Sequence, residues 1–311
     1  RADLPPTDYG GGLQWANYQY FNPQEPWDVA FSLRHREVFE KQPVNARLRV
    51  LFLADTESYG LGDSVRAGNL DLVMAVSHWQ KEKIAKEEML HDDHWYVASN
   101  GVVSALPIPL EKKVRGRCLF TATVERGLAT LLDIWPRIKE QAPHATLHVY
   151  SSFQGWGYPR DVSDEMMREP YERMEAMRGL GVVNCRHANA AEMRQAQEEA
   201  EFYLYPSDFY ETCCMSVLEA MNASVIPIVT GRAALLEKVL PYVTGAVVPP
   251  YGVESERYRE LFVEKAVELL NASWSSLASM YANCWMYASQ FTYEEMVPQW
   301  VAEWERRMVA K

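Results

Sequence analysis

The chain has 311 residues, a net charge of −11, 48% hydrophobic residues and 23% charged residues. This length suggests two domains, and this balance is typical of a soluble protein with a buried core. The acidic charge and the lack of any basic stripe argue against a nucleic-acid binder, and no apolar run reaches the roughly 18 residues of a membrane span.

Short apolar runs in the first third of the chain predict strands of a buried parallel sheet, because each run ends in polar or glycine residues. They are WDVAFSL (27–33), RVLFLAD (49–55), LDLVMAVS (70–77) and WYVASNGV (95–102). Between the last two, HWQKEKIAKEEML (78–90) combines charges with a periodic apolar face, which predicts a surface helix. This region therefore holds about four strands and has no obvious beginning.

Residues 106–117 (LPIPLEKKVRGR) carry two prolines and a basic run, which indicate a solvated linker. A second alternation of strands and helices follows the linker. Strands are predicted at 118–123, 146–152, 182–187, 201–207, 225–230 and 245–250, and helices near 127–141, 190–200, 212–223, 231–239 and 254–271. Alternation at this spacing, without hairpin signals, predicts an α/β fold with a doubly wound parallel sheet.

The segment FTYEEMVPQWVAEWERR (291–307) predicts an amphipathic C-terminal helix. Thr292 is a candidate N-cap, with Glu295 three residues later completing a capping box. Trp300 and Trp304 lie four residues apart and therefore share one helix face, so we interpret them as packing anchors rather than ligand platforms.

One segment at the carboxyl end of a predicted strand is richer in chemistry than the others. In parallel sheets ligands bind at these ends, where helix N-termini present free N–H groups to anions. In YPSDFYETCCMSVLEAM (205–221), Glu211 stands at the mouth of a predicted helix, where a carboxylate is as often a cap as a ligand contact. Glu219 follows about two turns later among apolar neighbours. A carboxylate there needs a hydroxyl or cationic partner, and a ribose diol would serve.

This segment resembles a known enzyme family. Glu211 and Glu219 have the E-x7-E spacing of retaining GT-B glycosyltransferases, and LEAM followed by VIPIV resembles family 4 of that group. The stretch 121–150 resembles the first strand–helix–strand of the family's C-terminal domain, and the resemblance covers most of 27–305. It implies a GT-B architecture of two Rossmann-like parallel-sheet domains, of which the N-terminal one is incomplete.

The resemblance implies a retaining glycosyltransferase that moves a sugar, as hexosyltransferases do, from a nucleotide-diphosphate sugar to a glycan, lipid or other acceptor. The donor is a substrate, and neither a cofactor nor a metal is expected. The predicted organisation is a partial acceptor-side domain (1–105), a linker (106–117), a nucleotide-sugar-binding domain (118–290) and a helix (291–311) expected to pack back on the first domain.

Carried over residue by residue, the resemblance places Arg126, with Gly127 beside it, on the donor pyrophosphate. Glu219 would accept hydrogen bonds from the ribose, and Glu211 would hold the donor sugar and support the charge that develops during transfer. The N–H groups that cradle the distal phosphate would come from the predicted helix start, namely Thr212, Cys213, Cys214, Met215 and Ser216.

Five further positions are implied at the edges of the site. Asn189 lies where the family holds the base, although a plain helix N-cap is equally expected. Asp55 matches the acidic member of a catalytic His-Asp pair, and Arg34 would point towards the cleft. Asn100 and Gly101 match an N-G pair in the family's first domain, where Gly101 could alternatively serve a left-handed turn.

The sequence departs from the family pattern at three positions. Thr121 stands where a second basic residue is common, which weakens neutralisation of the diphosphate. Ala54 replaces the His before Asp55, which bears on catalysis. Ser224 stands where relatives mostly have Gly.

Residues 9–12 (YGGG) suggest a diphosphate-binding loop, but no apolar strand precedes them, so a plain loop is favoured.

These departures keep one alternative open, a catalytically inactive nucleotide-sugar-binding or scaffolding module of a larger protein. A dinucleotide-dependent oxidoreductase is disfavoured because no G-x-G-x-x-G turn follows a strand.

Five cysteines without C-x-x-C spacing, and no apolar signal segment, predict a reducing, cytoplasmic compartment. The expected partners are a nucleotide sugar, an unknown acceptor and further domains of a longer chain, while peripheral membrane contact has no specific support.

Overall fold

The computed structural model describes residues 7–8, 14–15 and 20–310, so the predicted loop at 9–12 lies outside the described residues. The chain divides into two compact units. The first consists of Arg1–Ala75, Lys81–Val97 and Val301–Lys311, and the second of Val76–Gln80 and Ala98–Trp300. No helix within the described residues is both long enough and apolar enough to cross a membrane.

The first unit is built on a parallel sheet of four strands. Its strands are β3 (Trp27–Leu33), β4 (Ala46–Phe52), β5 (Leu72–Ala75) and β6 (Trp95–Val97), in that order, and a short antiparallel pair, β1 (Thr7–Asp8) and β2 (Gln14–Trp15), precedes them in the chain. Every residue of β5 is buried, as expected for a strand covered on both faces. The helices of this part of the chain are α1 (Glu37–Glu40), α2 (Leu61–Arg66) and α3 (His78–Glu88).

The second unit holds a six-stranded sheet in which every neighbouring pair is parallel. Its strands are β7 (Arg117–Phe120), β8 (Thr146–Val149), β9 (Val182–Asn184), β10 (Phe202–Tyr205), β11 (Ile226–Thr230) and β12 (Ala246–Val248). They lie in the order β12-β11-β10-β7-β8-β9. The chain therefore leaves β7 in one direction and returns to build the other half from β10, which is the doubly wound pattern.

Helices connect these strands and cover the sheet. They are α4 (Leu128–Gln141), α5 (Arg160–Met166), α6 (Arg168–Ala176), α7 (Ala190–Glu199), α8 (Met215–Asn222), α9 (Leu235–Lys238), α10 (Glu256–Asn271), α11 (Trp274–Ala288) and α12 (Tyr293–Val309). The predicted strand at 27–33 is confirmed to the residue. The α/β class with parallel sheets is confirmed as well.

Two helices are clearly shorter than predicted, and α1, α2, α5, α6 and α11 were not predicted as helices. The helix predicted at 231–239 is confined to α9, because Ala233 has a left-handed backbone (φ 52°) just before it. The helix predicted from 212 begins at Met215. Helices α5 and α6 occupy a stretch rich in Gly, Trp and Pro that gave no clear periodicity.

The basic run before β7 is only partly solvated: Lys112 and Val114 are exposed, as a solvated linker requires, but Lys113 and Arg115 make buried contacts that this interpretation did not predict. Lys113 is buried and donates to the carbonyls of Gln197 and Ala223, and burial lowers its pKa to about 7. Arg115 forms an ion pair of 2.7 Å with the fully buried Glu201. These contacts fix the entry to the second sheet.

Glu201 is the buried carboxylate on which this entry depends. Its oxygens also accept hydrogen bonds from the Gly116 amide (2.6 Å), the Trp274 indole (2.6 Å) and the Tyr281 hydroxyl (2.9 Å). A buried carboxylate is tolerated when several donors surround it in this way. It ties the amino ends of β7 and β10 to α11.

The C-terminal end of α12 belongs to the first unit. The Trp304 ring lies 5.8 Å from the Phe31 ring, and its indole nitrogen is 3.4 Å from the sulfur of Met74. The Arg307 guanidinium donates to the carbonyl of Trp95 at 3.1 Å. The prediction that Trp304 is a packing anchor is confirmed.

Ser224 joins α8 to β11 with a left-handed backbone (φ 55°), a conformation that costs a residue with a Cβ roughly 1–2 kcal/mol. We expect Ser224→Gly to raise the free energy of unfolding by about 1 kcal/mol. Chemical denaturation measures the change. Ser224→Ala, which keeps the Cβ, is the matched control, and an equal gain in both variants would show that backbone strain is not the cause.

Candidate functional site

The two halves of the second sheet meet at β7 and β10. These strands pair in register, with Phe202 opposite Cys118 and Tyr203 opposite Leu119, and the chain leaves their carboxyl ends into the loops before α4 and α8. In open α/β sheets a ligand binds at such a switch point, where two diverging loops leave a crevice.

Gly127 holds these two loops against each other. Its backbone is left-handed (φ 97°), and a Cβ at this position would lie 2.4 Å from the carbonyl oxygen of Pro206 and 3.0 Å from the Cα of Ser207. Only glycine therefore allows the start of α4 to approach the end of β10 so closely.

Arg126, the residue before Gly127, forms an ion pair and hydrogen bond with Glu211. The same carboxylate oxygen accepts a hydrogen bond of 2.6 Å from the Tyr205 hydroxyl, and the guanidinium lies 3.4 Å from the centroid of the Phe209 ring. Burial acts to lower the pKa of Arg126, but the charge and hydrogen bond of Glu211 outweigh it and raise that pKa. The structure thus brings together two residues that the resemblance assigned to different parts of the donor.

The guanidinium of Arg126 keeps one donor unused. Its Nε is buried and has no hydrogen-bond partner within the described part of the chain. A buried N–H without an acceptor is costly, so this atom is suited to an anionic ligand that enters the crevice.

Glu211 does not stand at a helix mouth, as the sequence had suggested. It lies in the loop after β10, and Cys214 adopts a left-handed conformation (φ 58°, ψ 72°), so α8 begins only at Met215. Glu211 is therefore not a helix cap. Thr212 and Cys213 precede the helix, and the N–H groups of its first turn begin with Met215 and Ser216.

Hydroxyl groups line the sheet beneath this turn. The Tyr203 hydroxyl donates to Ser216 Oγ at 2.9 Å and accepts from Thr121 Oγ1 at 3.4 Å. Tyr203, Tyr205 and Phe209 were missed as site residues. The two tyrosines in a fully buried strand were a usable signal, since a buried phenol requires a hydrogen-bond partner.

Glu219 opens into a pocket of about 320 Å³ between α7 and α8. The pocket is lined by Val102, Ile108, Ala190, Met193, Asn222 and others. Within the described residues, no hydrogen-bond donor or cation pairs with the Glu219 carboxylate. The residue is exposed as a whole, yet desolvation of its carboxylate raises its pKa.

Asn189 and Gly101 have structural roles. The Asn189 side chain caps α7 by accepting from the amides of Ala191 and Glu192, and the Glu192 carboxylate accepts from the Asn189 amide at 2.8 Å. The N-cap interpretation is therefore confirmed. Gly101 does not have a left-handed backbone, so that alternative was wrong. A Cβ there would lie 2.4 Å from the Tyr293 ring, which explains the glycine.

The remaining predicted residues lie in both units. Arg34, left-handed with φ 68°, forms an exposed ion pair of 3.6 Å with Asp55 in the first unit, and such pairs contribute little to stability. Asn100 lies beside Gly101 in the second unit. Among the residues that the structure describes, no group of three His, Cys, Asp or Glu side chains could hold a metal ion.

A family model described as glycosyl transferases group 1 matches residues 115–272, more than half of the chain. The match begins just before β7 and contains Arg126, Glu211 and Glu219. No curated protein matches the chain.

Several solved structures have similar folds. Sucrose-phosphate synthase from Thermosynechococcus elongatus superposes with a TM-score of 0.70 at 13% identity, over 99% of this chain and 87% of its own. The pneumococcal O-GlcNAc transferase GtfA in complex with UDP and GlcNAc superposes with a TM-score of 0.69 at 15% identity, over 87% of this chain and 54% of its own. Anabaena HepE in complex with UDP and glucose superposes with a TM-score of 0.64 at 15% identity, over 89% of this chain and 77% of its own.

These similarities confirm the expected GT-B fold. The chain spans only about half the length of the pneumococcal enzyme and 58% of a chain in the GtfA/B complex.

The contact at Gly127 predicts that Gly127→Ala will destabilise the protein by about 2 kcal/mol or more, because the Cβ meets backbone atoms and the left-handed φ adds strain. Urea denaturation measures the loss. Gly179→Ala is the control, since a Cβ there meets nothing within 4 Å. Equal stability of the two variants would contradict the close approach.

Proposed function

The chain belongs to the glycosyl transferases of group 1, and from this premise we propose that it moves a sugar from a nucleoside diphosphate sugar to an acceptor with retention of configuration. The observation that carries the proposal is a pair of unused groups in the segment that the family model matches. Within the described residues, the Arg126 Nε is buried without a hydrogen bond, with a Glu125 carboxylate oxygen 4.0 Å away, and Glu219 is a carboxylate without a donor. A nucleoside diphosphate supplies the phosphate oxygens and ribose hydroxyls that they lack.

The diphosphate would bind at the crevice between the loops after β7 and β10. Arg126 reaches this crevice, and the first turn of α8 offers backbone N–H groups and the positive end of its dipole. A guanidinium fork binds phosphate oxygens in a bidentate manner. The UDP named in the GtfA and HepE structures supports a nucleoside diphosphate as the ligand class.

The ribose would lie in the pocket between α7 and α8. The Glu219 carboxylate accepts hydrogen bonds from the two ribose hydroxyls there, which restores the solvation that the pocket removes. Asn189, at the start of α7, then lies where the base could be placed, although its side chain is already committed to the helix cap.

Glu211 would act on the donor sugar after the diphosphate draws Arg126 away from it. The Tyr205 hydroxyl keeps the carboxylate in place during this exchange. Released from its cation, Glu211 can accept hydrogen bonds from the sugar hydroxyls and stabilise positive charge that develops at the anomeric carbon. Arg126 and the α8 N-terminus stabilise the departing nucleoside diphosphate, so the proposed mechanism requires no metal.

A second candidate function is a nucleotide-sugar-binding module without catalysis. Ala54 and Thr121 favour it, since each replaces a residue that assists donor chemistry in relatives. Turnover separates the two candidates. The protein is incubated with a donor that it binds, and chromatography detects any free sugar or glycosylated product. Binding without any turnover, with a panel of sugar acceptors present, would favour the module.

Glu219→Gln tests the ribose contact. We expect it to weaken binding of UDP, GDP or ADP, whichever binds the wild type, about tenfold, because hydrogen bonds to a charged acceptor contribute about 1.5–3 kcal/mol. Isothermal calorimetry measures the affinity, with the nucleoside diphosphate and its common sugar conjugates as probes. Glu198→Gln is the matched control, since Glu198 lines the same pocket but is paired with Arg194. Equal affinity in the two variants would remove Glu219 from the site, and silence from all nucleotides would contradict the proposal.

The raised pKa of Glu219 predicts a pH dependence. The ribose hydroxyls donate to the deprotonated carboxylate of Glu219. Nucleotide affinity should therefore fall as the pH drops through this raised pKa and level off above it. The stability of the free protein should follow the opposite trend. A raised pKa in the folded state means that this group's contribution to stability is lost as the pH rises through it. Calorimetry from pH 4.5 to 8 measures the affinity, and a profile unchanged by Glu219→Gln would contradict this assignment.

A further inference from the structure

Lys238 is a buried cation without a counter-ion. It lies at the end of α9 with 4% of its surface exposed. Its ammonium donates to Ser99 Oγ at 3.0 Å and lies 4.4 Å from the centroid of the Phe291 ring. Within the described residues, no carboxylate lies at ion-pair distance from it. Both groups that its ammonium contacts are neutral, and the carboxylate of the adjacent Glu237 accepts from the amides of His78 and Trp79 instead.

Such a group is expensive to bury. An ammonium loses its hydration on burial, and one hydroxyl and one aromatic face replace only part of it. A methionine would fill the same space at no electrostatic cost, since Leu235 and Val239 on α9 and just after it are apolar and buried. The lysine is therefore better explained by an anion that is present only when the protein works.

Two contacts connect Lys238 to the donor loop. Ser99 Oγ, which accepts from Lys238, is 3.5 Å from the sulfur of Cys213, the second residue after Glu211. The amide of Ala234, just before α9, donates to the carbonyl of Glu211 at 3.1 Å. The buried charge thus stands directly behind the loop that leads into α8.

The charges already assigned to the site leave the diphosphate under-neutralised. Arg126 is the one cation in contact with the crevice among the predicted site residues, and Glu211 and Glu219 are both anionic. Thr121 supplies no charge. A nucleoside diphosphate would thus enter a site whose named side chains carry one positive and two negative charges, so it needs further positive potential.

We propose that Lys238 is a positioning residue that supplies this second positive charge to the donor diphosphate from behind the loop. It does not touch the phosphates. It acts through the low-dielectric interior and through Ser99, whose hydroxyl holds Cys213 and thereby the approach to α8. This inference rests on the proposed function and adds a residue that the E-x7-E pattern does not contain.

Arg232 is a further cation beside this loop. Its guanidinium donates to the carbonyl of Asp208 at 2.7 Å and lies 4.9 Å from the centroid of the Tyr210 ring. It is half-buried, so solvent and salt screen its field more than that of Lys238. The larger effect on an anionic ligand is therefore expected from Lys238.

The test is calorimetric titration of Lys238→Met with a nucleoside diphosphate and with the corresponding nucleoside. We expect the diphosphate to bind about tenfold more weakly and the nucleoside to bind unchanged, because only the diphosphate senses the charge. Ser99→Ala should weaken diphosphate binding less, about two- to threefold, and should also leave nucleoside binding unchanged. Lys265→Met, which removes a half-buried charge on α10 that is paired with Glu268, controls for the change in net charge and should leave both affinities unchanged.

Thermal unfolding supplies a second readout that a purely structural lysine would not give. Removing an uncompensated buried charge should leave the unfolding midpoint of Lys238→Met equal to or above that of the wild type. A lower midpoint, or equal weakening of diphosphate and nucleoside, would overturn the inference. If Glu219→Gln weakens nucleotide binding as proposed and Lys238→Met does not, only the role of Lys238 fails. If the wild type binds no nucleotide, both the proposed function and the role of Lys238 fail.

Discussion

The close approach of Gly127 to the backbone of Pro206 and Ser207 is the constraint on which the site depends. It brings the loops after β7 and β10 into contact at the point where the sheet reverses its strand order. Arg126 is adjacent to that contact, and Glu211 follows five residues after Pro206. Any side chain at position 127 would separate the loops, and the guanidinium could not share one carboxylate oxygen with the Tyr205 hydroxyl.

Around this contact the protein keeps several arrangements that lower its stability. Within the part of the chain that the structure describes, Arg126 Nε has no hydrogen bond and Lys238 has no ion pair. Desolvation raises the pKa of Glu219, and Cys214 has a left-handed backbone. Each is unfavourable for the free protein, and the first three would become favourable beside a nucleoside diphosphate. Elsewhere, the buried carboxylate of Glu201 is paired with Arg115 and further donors, and the buried ammonium of Lys113 donates to two carbonyls. Conflict between local stability and local chemistry is expected at functional sites, where ligand binding compensates for it.

The sequence predicted the parallel sheets, the bounds of β3 and the position of the richest segment, because apolar runs and helical periods are local properties. It did not predict that α8 starts at Met215, since a left-handed Cys214 has no sequence signature. The pairing of Arg126 with Glu211 was also missed, because it joins residues 85 positions apart through strand order rather than spacing. Gly101 was interpreted either as part of an N-G pair or as a turn glycine, whereas the Tyr293 ring from a distant segment leaves no room for a Cβ there. Partners contributed by distant segments are the part of a site that motif spacing cannot supply.

The most direct measurement is a crystal structure of the chain bound to the nucleoside diphosphate that calorimetry identifies as its ligand. The account predicts diphosphate density at the carboxyl ends of β7 and β10, with a phosphate oxygen on the Arg126 guanidinium and another on the first turn of α8. It also predicts the ribose hydroxyls within hydrogen-bond distance of Glu219. A nucleotide bound elsewhere, or a diphosphate that leaves the Arg126–Glu211 pair intact and lies away from α8, would contradict the account.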